Sequence, residues 1–145
     1  MFRQVTDTLY VSPQITVAEI DMAKALGVTM VVNNRPEGEE PGQPTGAQIE
    51  AAARAAGLDY AAVPVTHAGF APWQLDGMAA ALEQAGQGPD AGKVLAYCRS
   101  GTRSTLLWAL TRARAGDDVE ALSAQAAAAG YDLAPIRQIM DAVRG

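Results

Sequence analysis

Cysteine is nearly absent from this chain: Cys98 stands alone among 145 residues, which excludes an intramolecular disulfide. No apolar run approaches the roughly 18 residues that a membrane span needs. No Lys/Arg block suggests a lipid surface. The opening "MFRQVTDTLYVSPQ" lacks the apolar segment that follows the positive charge in a secretory leader. These absences set the expectation of a cytoplasmic, reducing setting without a membrane partner. Basic residues are scarce too, 11 against 16 acidic, so the net charge of −5 is mildly repulsive to nucleic acid, and no such partner is expected. An anionic substrate would have to be held by a local cluster, and Arg99 with Arg103 is the nearest approach to one. There is no linker suited to a domain boundary and no repeat at a fixed period. With 49% hydrophobic residues, the chain can bury one core as a single domain over residues 1–145.

What is present is an alternation of β-branched runs and alanine-rich stretches. "LYVS" reads as the first strand. "TVAEIDMAKALG" opens on the Thr16 and Glu19 capping-box spacing, carries apolar residues at Val17, Ile20, Met22, Ala23 and Leu26, and closes at Gly27. "VTMVVNN" is the continuous apolar run of a strand buried on both faces, and the prolines and glycines of "RPEGEEPGQPTG" then exclude regular structure. The pattern repeats: helix "TGAQIEAAARAAG", strand "DYAAVPV", loop "THAGFAP", helix "WQLDGMAAALEQAG" and last strand "KVLAYC". Three helical segments follow, separated by glycine stops, with Asp117 or Asp118 and Asp132 placed as N-caps. The expectation is an α/β fold with a central, mostly parallel sheet of four to five strands flanked by helices, and an all-helical C-terminal tail.

In such sheets ligands bind beyond the carboxyl ends of the strands. Three loops converge there: residues 34–46, 66–72 and 98–104, with Cys98 at the tip of the last strand. A thiol attacks as its thiolate, and a free thiol is only roughly 3% ionised at pH 7, so the anion must be stabilised. "CRSGTRS" offers the N-terminus of the next helix, the unpaired N–H groups of residues 99–104, and guanidinium charge. Gly101 lets the loop curl, Arg103 can present two parallel donors, and Ser104 can donate a hydroxyl to the sulfur. The bland alternative, a small buried thiol at a strand end, does not account for a glycine, an arginine and a serine at these spacings before a helix.

"YCRSGTRS" resembles the signature loops of cysteine-based phosphatases and of rhodanese-type sulfurtransferases. "GVTMVVNNRPEGEE" is similar to the second strand of dual-specificity-like phosphatases, where an apolar run ends in an Asn-Arg-Pro-Glu stretch. Nearly the whole chain, from "LYVSPQIT" to the helix after the loop, resembles the bacterial phosphatase-like domain of the beta-lactamase-hydrolase-like family, found alone or fused to beta-lactamase-like hydrolases and sulfide-metabolising enzymes. The resemblance implies a phosphatase-type α/β fold, Cys98 as nucleophile and Arg103 as oxyanion-binding residue.

Two departures keep alternatives open. Four residues separate Cys98 from Arg103, where the phosphatase signature has five and the rhodanese-type loop is shorter. The loop after the third strand, "VTHAGFAPWQLD", lacks a well-placed aspartate, because Asp76 falls inside the following helix. His67 could act as the acid, since a free histidine titrates near 6.5. Glu37, Glu39 and Glu40 are alternatives, although "EGEE" reads most simply as a solvated loop. Arg35 could charge the site or anchor the "NNRP" turn. Trp108 reads as core and Trp73, at a helix start on the functional edge, stays open. The expected activity is a cysteine-nucleophile phosphatase-like hydrolase working through a thiophosphate, with catalytic Cys98, Arg103, Ser104 and His67 and substrate-binding Arg99, Ser100, Gly101, Thr102 and Arg35. The alternatives are a sulfurtransferase carrying a persulfide on Cys98 and handing it to a thiol acceptor, and a non-catalytic anion-binding module. The substrate is a small anion, either a phosphate ester or a sulfane sulfur donor, and no cofactor or metal is expected.

Overall fold

The computed structural model describes residues 1–86 and 91–144. In chain order these are β1 (Arg3–Thr6), β2 (Leu9–Ser12), α1 (Glu19–Ala25), β3 (Val28–Asn33), α2 (Gly46–Ala55), β4 (Asp59–Ala62), α3 (Pro72–Ala85), β5 (Lys93–Tyr97), α4 (Thr102–Arg114), α5 (Val119–Ala128), a 3-10 turn (Ala134–Ile136) and α6 (Arg137–Arg144). The five strands lie in the order β1-β2-β5-β3-β4. All neighbours are parallel except β1 and β2, where Arg3 faces Val11 across an antiparallel hairpin. This is the expected α/β sheet with its helical tail. Gly145, the end of the third predicted tail helix, lies outside the described residues.

The hairpin partner β1 is an addition to the sequence reading, which starts the sheet at Leu9. Its four residues "RQVT" bury only Val5, so no alternation marks it as a strand. β5 and β3 occupy the middle of the sheet and are buried on both faces, as their continuous apolar runs require. Successive residues of β5 turn to opposite sides. Val94 and Ala96 join Met78, Leu107, Leu110 and Met140 under α3, α4 and α6, while Leu95 and Tyr97 pack with Ile20 and Ile49 under α1 and α2. Gly77 in α3 has a packing reason: a Cβ there would sit 3.1 Å from Cγ2 of Val63.

Helix α1 corrects one expectation. Ile20 and Ala23 are buried, but Val17, Met22 and Leu26 are exposed. The apolar residues of that segment cover more than one face, and a single helix turns only one stripe inward. The cap forms in part: the Thr16 backbone N–H donates to Oε1 of Glu19 at 2.9 Å, and regular helix starts only at Glu19. By contrast, the Thr45 and Gln48 capping box of α2 is complete, and Asp118 caps α5 through the Ala121 N–H at 3.0 Å. Trp108 is buried in the α4 core as expected, and Trp73 is exposed.

Candidate active site

Cys98 follows β5 directly, and α4 begins four residues later, so the loop between them is short and faces the carboxyl ends of β2, β3 and β5. The loop is moored on both sides: the Cys98 N–H donates to Ser12 O at 3.3 Å and the Gln14 N–H to Arg99 O at 3.3 Å. Gly101 takes φ of +90°, a left-handed conformation that costs a residue with a Cβ about 1–2 kcal/mol. That turn aims the Gly101 N–H at Sγ of Cys98, 3.1 Å away, and the sulfur belongs to a fully buried residue. The sulfur thus accepts a backbone N–H at the N-terminal end of α4.

Arg103 lies in the first turn of α4, with its guanidinium close enough to the Cys98 thiol to interact with it. Its Nη1 donates to Oε2 of Glu39 and to Val65 O, both at 2.7 Å, and its Nη2 donates to Oε1 of Glu39 at 2.7 Å. Glu39 therefore makes the bidentate pair with Arg103 from a loop 64 positions away in sequence. Its Oε1 also accepts from Nε of Arg35 at 2.8 Å. The Arg103 hydrogen bonds foremost, with those of Arg35, outweigh desolvation and hold the Glu39 carboxyl at about 2. Arg103 is in turn held above its ordinary value, first by Glu39 and against burial, with the nearby Cys98 adding to the effect. "EGEE" is an exposed loop, as expected, yet each of its three carboxylates is engaged. Glu37 accepts the Gly46 N–H at 2.6 Å, Glu39 joins two arginines, and Oε1 of Glu40 accepts from Nη2 of Arg35 at 2.8 Å.

The remaining predicted residues fall in three zones. Arg35 is buried, with Nε, Nη1 and Nη2 all engaged, by Glu39, Gln14 and Glu40 respectively. The turn that places it is held by the Arg35 N–H on Oδ1 of Asn33 at 2.9 Å and by Nδ2 of Asn34 on Val63 O at 2.8 Å. Arg99, Ser100 and Thr102 form an exposed rim, where Arg99 lies 3.7 Å from Glu40 and the Ser100 and Thr102 hydroxyls pair at 3.0 Å. Ser104 lies behind the loop, its Oγ buried with no hydrogen-bond partner among the described residues. His67 is exposed at the tip of a turn in which the Gly69 N–H donates to Thr66 O at 3.2 Å, two residues beyond the Val65 carbonyl that Arg103 holds. Asp76 is on α3 and pairs with Arg114 at 2.9 Å.

Tyr131 is a contributor that sequence reasoning missed. Its hydroxyl donates to Ser100 O at 3.2 Å and fills the space in which a Cβ on Gly101 would stand. Its ring carries Arg3 at 5.4 Å from the centroid. Arg35 and Glu39 stand four residues apart in an irregular loop, and nothing local points from Glu39 to Arg103 or from Tyr131 to the cysteine loop. A recess of about 650 Å³ opens at the other end of the sheet, beside Leu9, Val94, Thr111 and Arg112. The chemically capable side chains lie at the Cys98 end, and the site is placed there. A thiol under an N–H donor beside a guanidinium can bind an oxyanion and attack its central atom.

This fold and site define a phosphatase-type α/β protein. Its coordinates superpose on the crystal structure of a candidate phosphatase from Neisseria meningitidis Z2491 with a TM-score of 0.80 and 34% identity, over 98% of this chain and 97% of that one. The chain belongs to the family described as beta-lactamase hydrolase-like protein, phosphatase-like domain, whose model matches residues 1–116. It is 34% identical over 113 residues to the beta-lactamase hydrolase-like protein of Agrobacterium fabrum, covering 78% of this chain and 25% of that protein. Against the protein of the same name from Xylella fastidiosa strain Temecula1 it is 35% identical over 133 residues, covering 89% of this chain and 29% of the relative. The chain thus spans little more than a quarter of the length of these curated relatives. Among the described residues no helix is long and apolar enough to cross a membrane.

Proposed function

We propose that residues 1–145 act as one phosphatase-like domain that hydrolyses a small phosphate ester in a reducing, cytoplasmic setting. The observation that carries this reading is the Gly101 N–H held 3.1 Å from the buried Cys98 sulfur, at the end of a loop whose arginine is oriented by a second loop. Cys98 attacks phosphorus, so that an S–P bond forms as the bond to the leaving oxygen breaks. Arg103 and the N–H groups of Arg99 and Ser100 stabilise the charge on the equatorial oxygens, while the Gly101 N–H stays on the sulfur. Water then attacks phosphorus, the S–P bond breaks, and inorganic phosphate and the thiolate are released. In this reading the Ser104 hydroxyl, buried and without a hydrogen-bond partner among the described residues, turns to donate to the sulfur as this bond breaks. Glu39, held at about 2, carries no proton to give near neutral pH. The exposed His67 is the remaining donor for the leaving group on the third loop.

The alternative is a sulfurtransferase in which Cys98 takes a sulfane sulfur as a persulfide and passes it to a thiol acceptor. It is favoured by the four-residue spacing from Cys98 to Arg103 and by a mechanism that needs no acid. One experiment separates the two: turnover of an aryl phosphate by the wild type and by Cys98→Ser, beside the mass of the protein after incubation with thiosulfate. Turnover lost in a folded Cys98→Ser protein supports the phosphatase. A persulfide adduct without phosphate turnover supports the transferase, and turnover retained in Cys98→Ser removes the nucleophile from both.

A further inference from the structure

Ser100 and Gly101 share one peptide plane, and both of its polar ends are engaged. At one end the Gly101 N–H donates to Sγ of Cys98 at 3.1 Å, and at the other the Ser100 carbonyl accepts the Tyr131 hydroxyl at 3.2 Å. The C=O and N–H of a trans peptide point in opposite directions, so the tyrosine holds the plane from the side away from the sulfur. The plane needs such a holder. Gly101 takes φ of +90°, and a glycine accepts φ of either sign, so the residue that makes the turn possible also leaves the plane free to turn over. Turned over, it would set the Ser100 carbonyl oxygen against the sulfur in place of the N–H.

Tyr131 is itself fixed by the end of α5. Gly130, at φ of +94°, closes that helix with its N–H on Ala127 O at 3.0 Å and the Tyr131 N–H on Ala126 O at 2.9 Å, the paired bonds of a Schellman stop. From β1, Nη1 of Arg3 donates to Ala129 O at 3.0 Å, and the guanidinium lies over the Tyr131 ring, 5.4 Å from its centroid. Burial foremost pushes the Tyr131 hydroxyl above its ordinary value, against Arg3 and with Cys98 adding to the rise. At neutral pH the hydroxyl therefore keeps its proton and stands as a donor.

We propose that Tyr131, backed by Arg3, is a positioning residue that keeps the Ser100–Gly101 peptide turned with its N–H on the Cys98 sulfur. The proposal rests on the reading of Cys98 as the nucleophile. Its effect falls on the step in which sulfur is the leaving group: charge returns to the sulfur as the S–P bond breaks, an N–H steadies it, and a carbonyl oxygen in the same place would repel it. The N–H groups of Arg99 and Ser100 and the Arg103 guanidinium lie outside this plane, so substrate binding depends on it less.

Tyr131→Phe removes the hydroxyl and keeps the ring. Two readouts apply: solvent exchange of the Gly101 amide proton, followed by NMR on nitrogen-15-labelled protein, and kcat and KM with an aryl phosphate. In Tyr131→Phe the Gly101 N–H should exchange about fivefold faster or more, while the amides of β5 and of the middle of α4 exchange as in wild type. With one hydrogen bond lost, kcat should fall about three- to tenfold and KM should stay within about twofold. Arg3→Met should give the same signature at smaller amplitude, and it carries the test by the same criteria if Tyr131→Phe fails to melt cooperatively. Unchanged Gly101 exchange, or faster exchange spread equally over β5 and α4, overturns the proposal and leaves Tyr131 as a fastening of the tail. Faster Gly101 exchange with wild-type kcat overturns it too, as does a rise in KM that matches the fall in kcat, which would make Tyr131 a substrate contact. Wild-type protein that turns over no aryl phosphate refutes the phosphatase reading, and the rate at which iodoacetamide labels Cys98 then takes the place of kcat. Slower labelling in Tyr131→Phe, with the Gly101 exchange signature, leaves the positioning role standing, and equal labelling overturns it.

Discussion

Acid should loosen this protein partly through one carboxylate, and Glu39→Gln should show how much. Glu39 is held at about 2 in the folded chain against an ordinary value of 4.5, chiefly by Arg103. A depressed carboxylate contributes stability that is fully present above the unfolded value and is lost as pH falls from 4.5 toward 2. At about 1.4 kcal/mol for each tenfold change in proton affinity, the full contribution is at most about 3 kcal/mol, of which about 2 is lost between pH 7 and pH 3. The Glu39 side chain is 20% exposed, and solvent screening brings the expected loss to about 1–2 kcal/mol. For a domain of this size that corresponds to roughly 3–8 °C in melting temperature. The assay is thermal or urea unfolding of wild type and Glu39→Gln at matched ionic strength across pH 3 to 7. Glu39→Gln should be less stable at pH 7, and the gap should narrow as pH falls, because the wild type alone loses this term. A gap that stays constant over the range, or that widens in acid, refutes the assignment of Glu39 as an ionised, doubly paired carboxylate.

Arg103→Lys should lower turnover on the order of a hundredfold, since an ammonium point charge replaces a planar pair of donors and also breaks the bidentate Glu39 contact. Near-normal kcat would remove Arg103 from the site. His67→Ala should slow alkyl phosphates far more than activated aryl phosphates, because only the former need a proton on the leaving oxygen; equal effects would return His67 to the surface. Gly101→Ala should weaken both phosphate protection of Cys98 and turnover, because φ is +90° and the new Cβ meets the Tyr131 hydroxyl. Adding Tyr131→Phe should recover part of that loss, and strict additivity in the double-mutant cycle would show that the tyrosine does not press on the loop.

The sequence alone was sufficient for the order of the elements from β2 onward and for the cysteine loop between a strand and a helix. Strands β3 and β5 announce themselves by apolar runs, Thr45 and Asp118 by their caps, and the Cys98 to Arg103 segment by its spacing between a strand and a helix. These signals are local: a cap is satisfied within three residues, and a strand-to-helix loop needs no distant partner to be recognised. Tertiary structure decided what each charged or apolar group meets. Periodicity could not say that Met22 and Leu26 would face outward, since apolar residues lie on several faces of that segment and only contact with the sheet selects one. Nor could it find β1, whose pairing with β2 comes from backbone hydrogen bonds that any side chains of suitable size permit. "EGEE" reads as a solvated loop because solvation is the cheapest fate of an isolated carboxylate. Glu39 escapes it only because folding brings Arg35 and Arg103 to both sides of one carboxyl group, across 64 residues of chain, at hydrogen-bond distance.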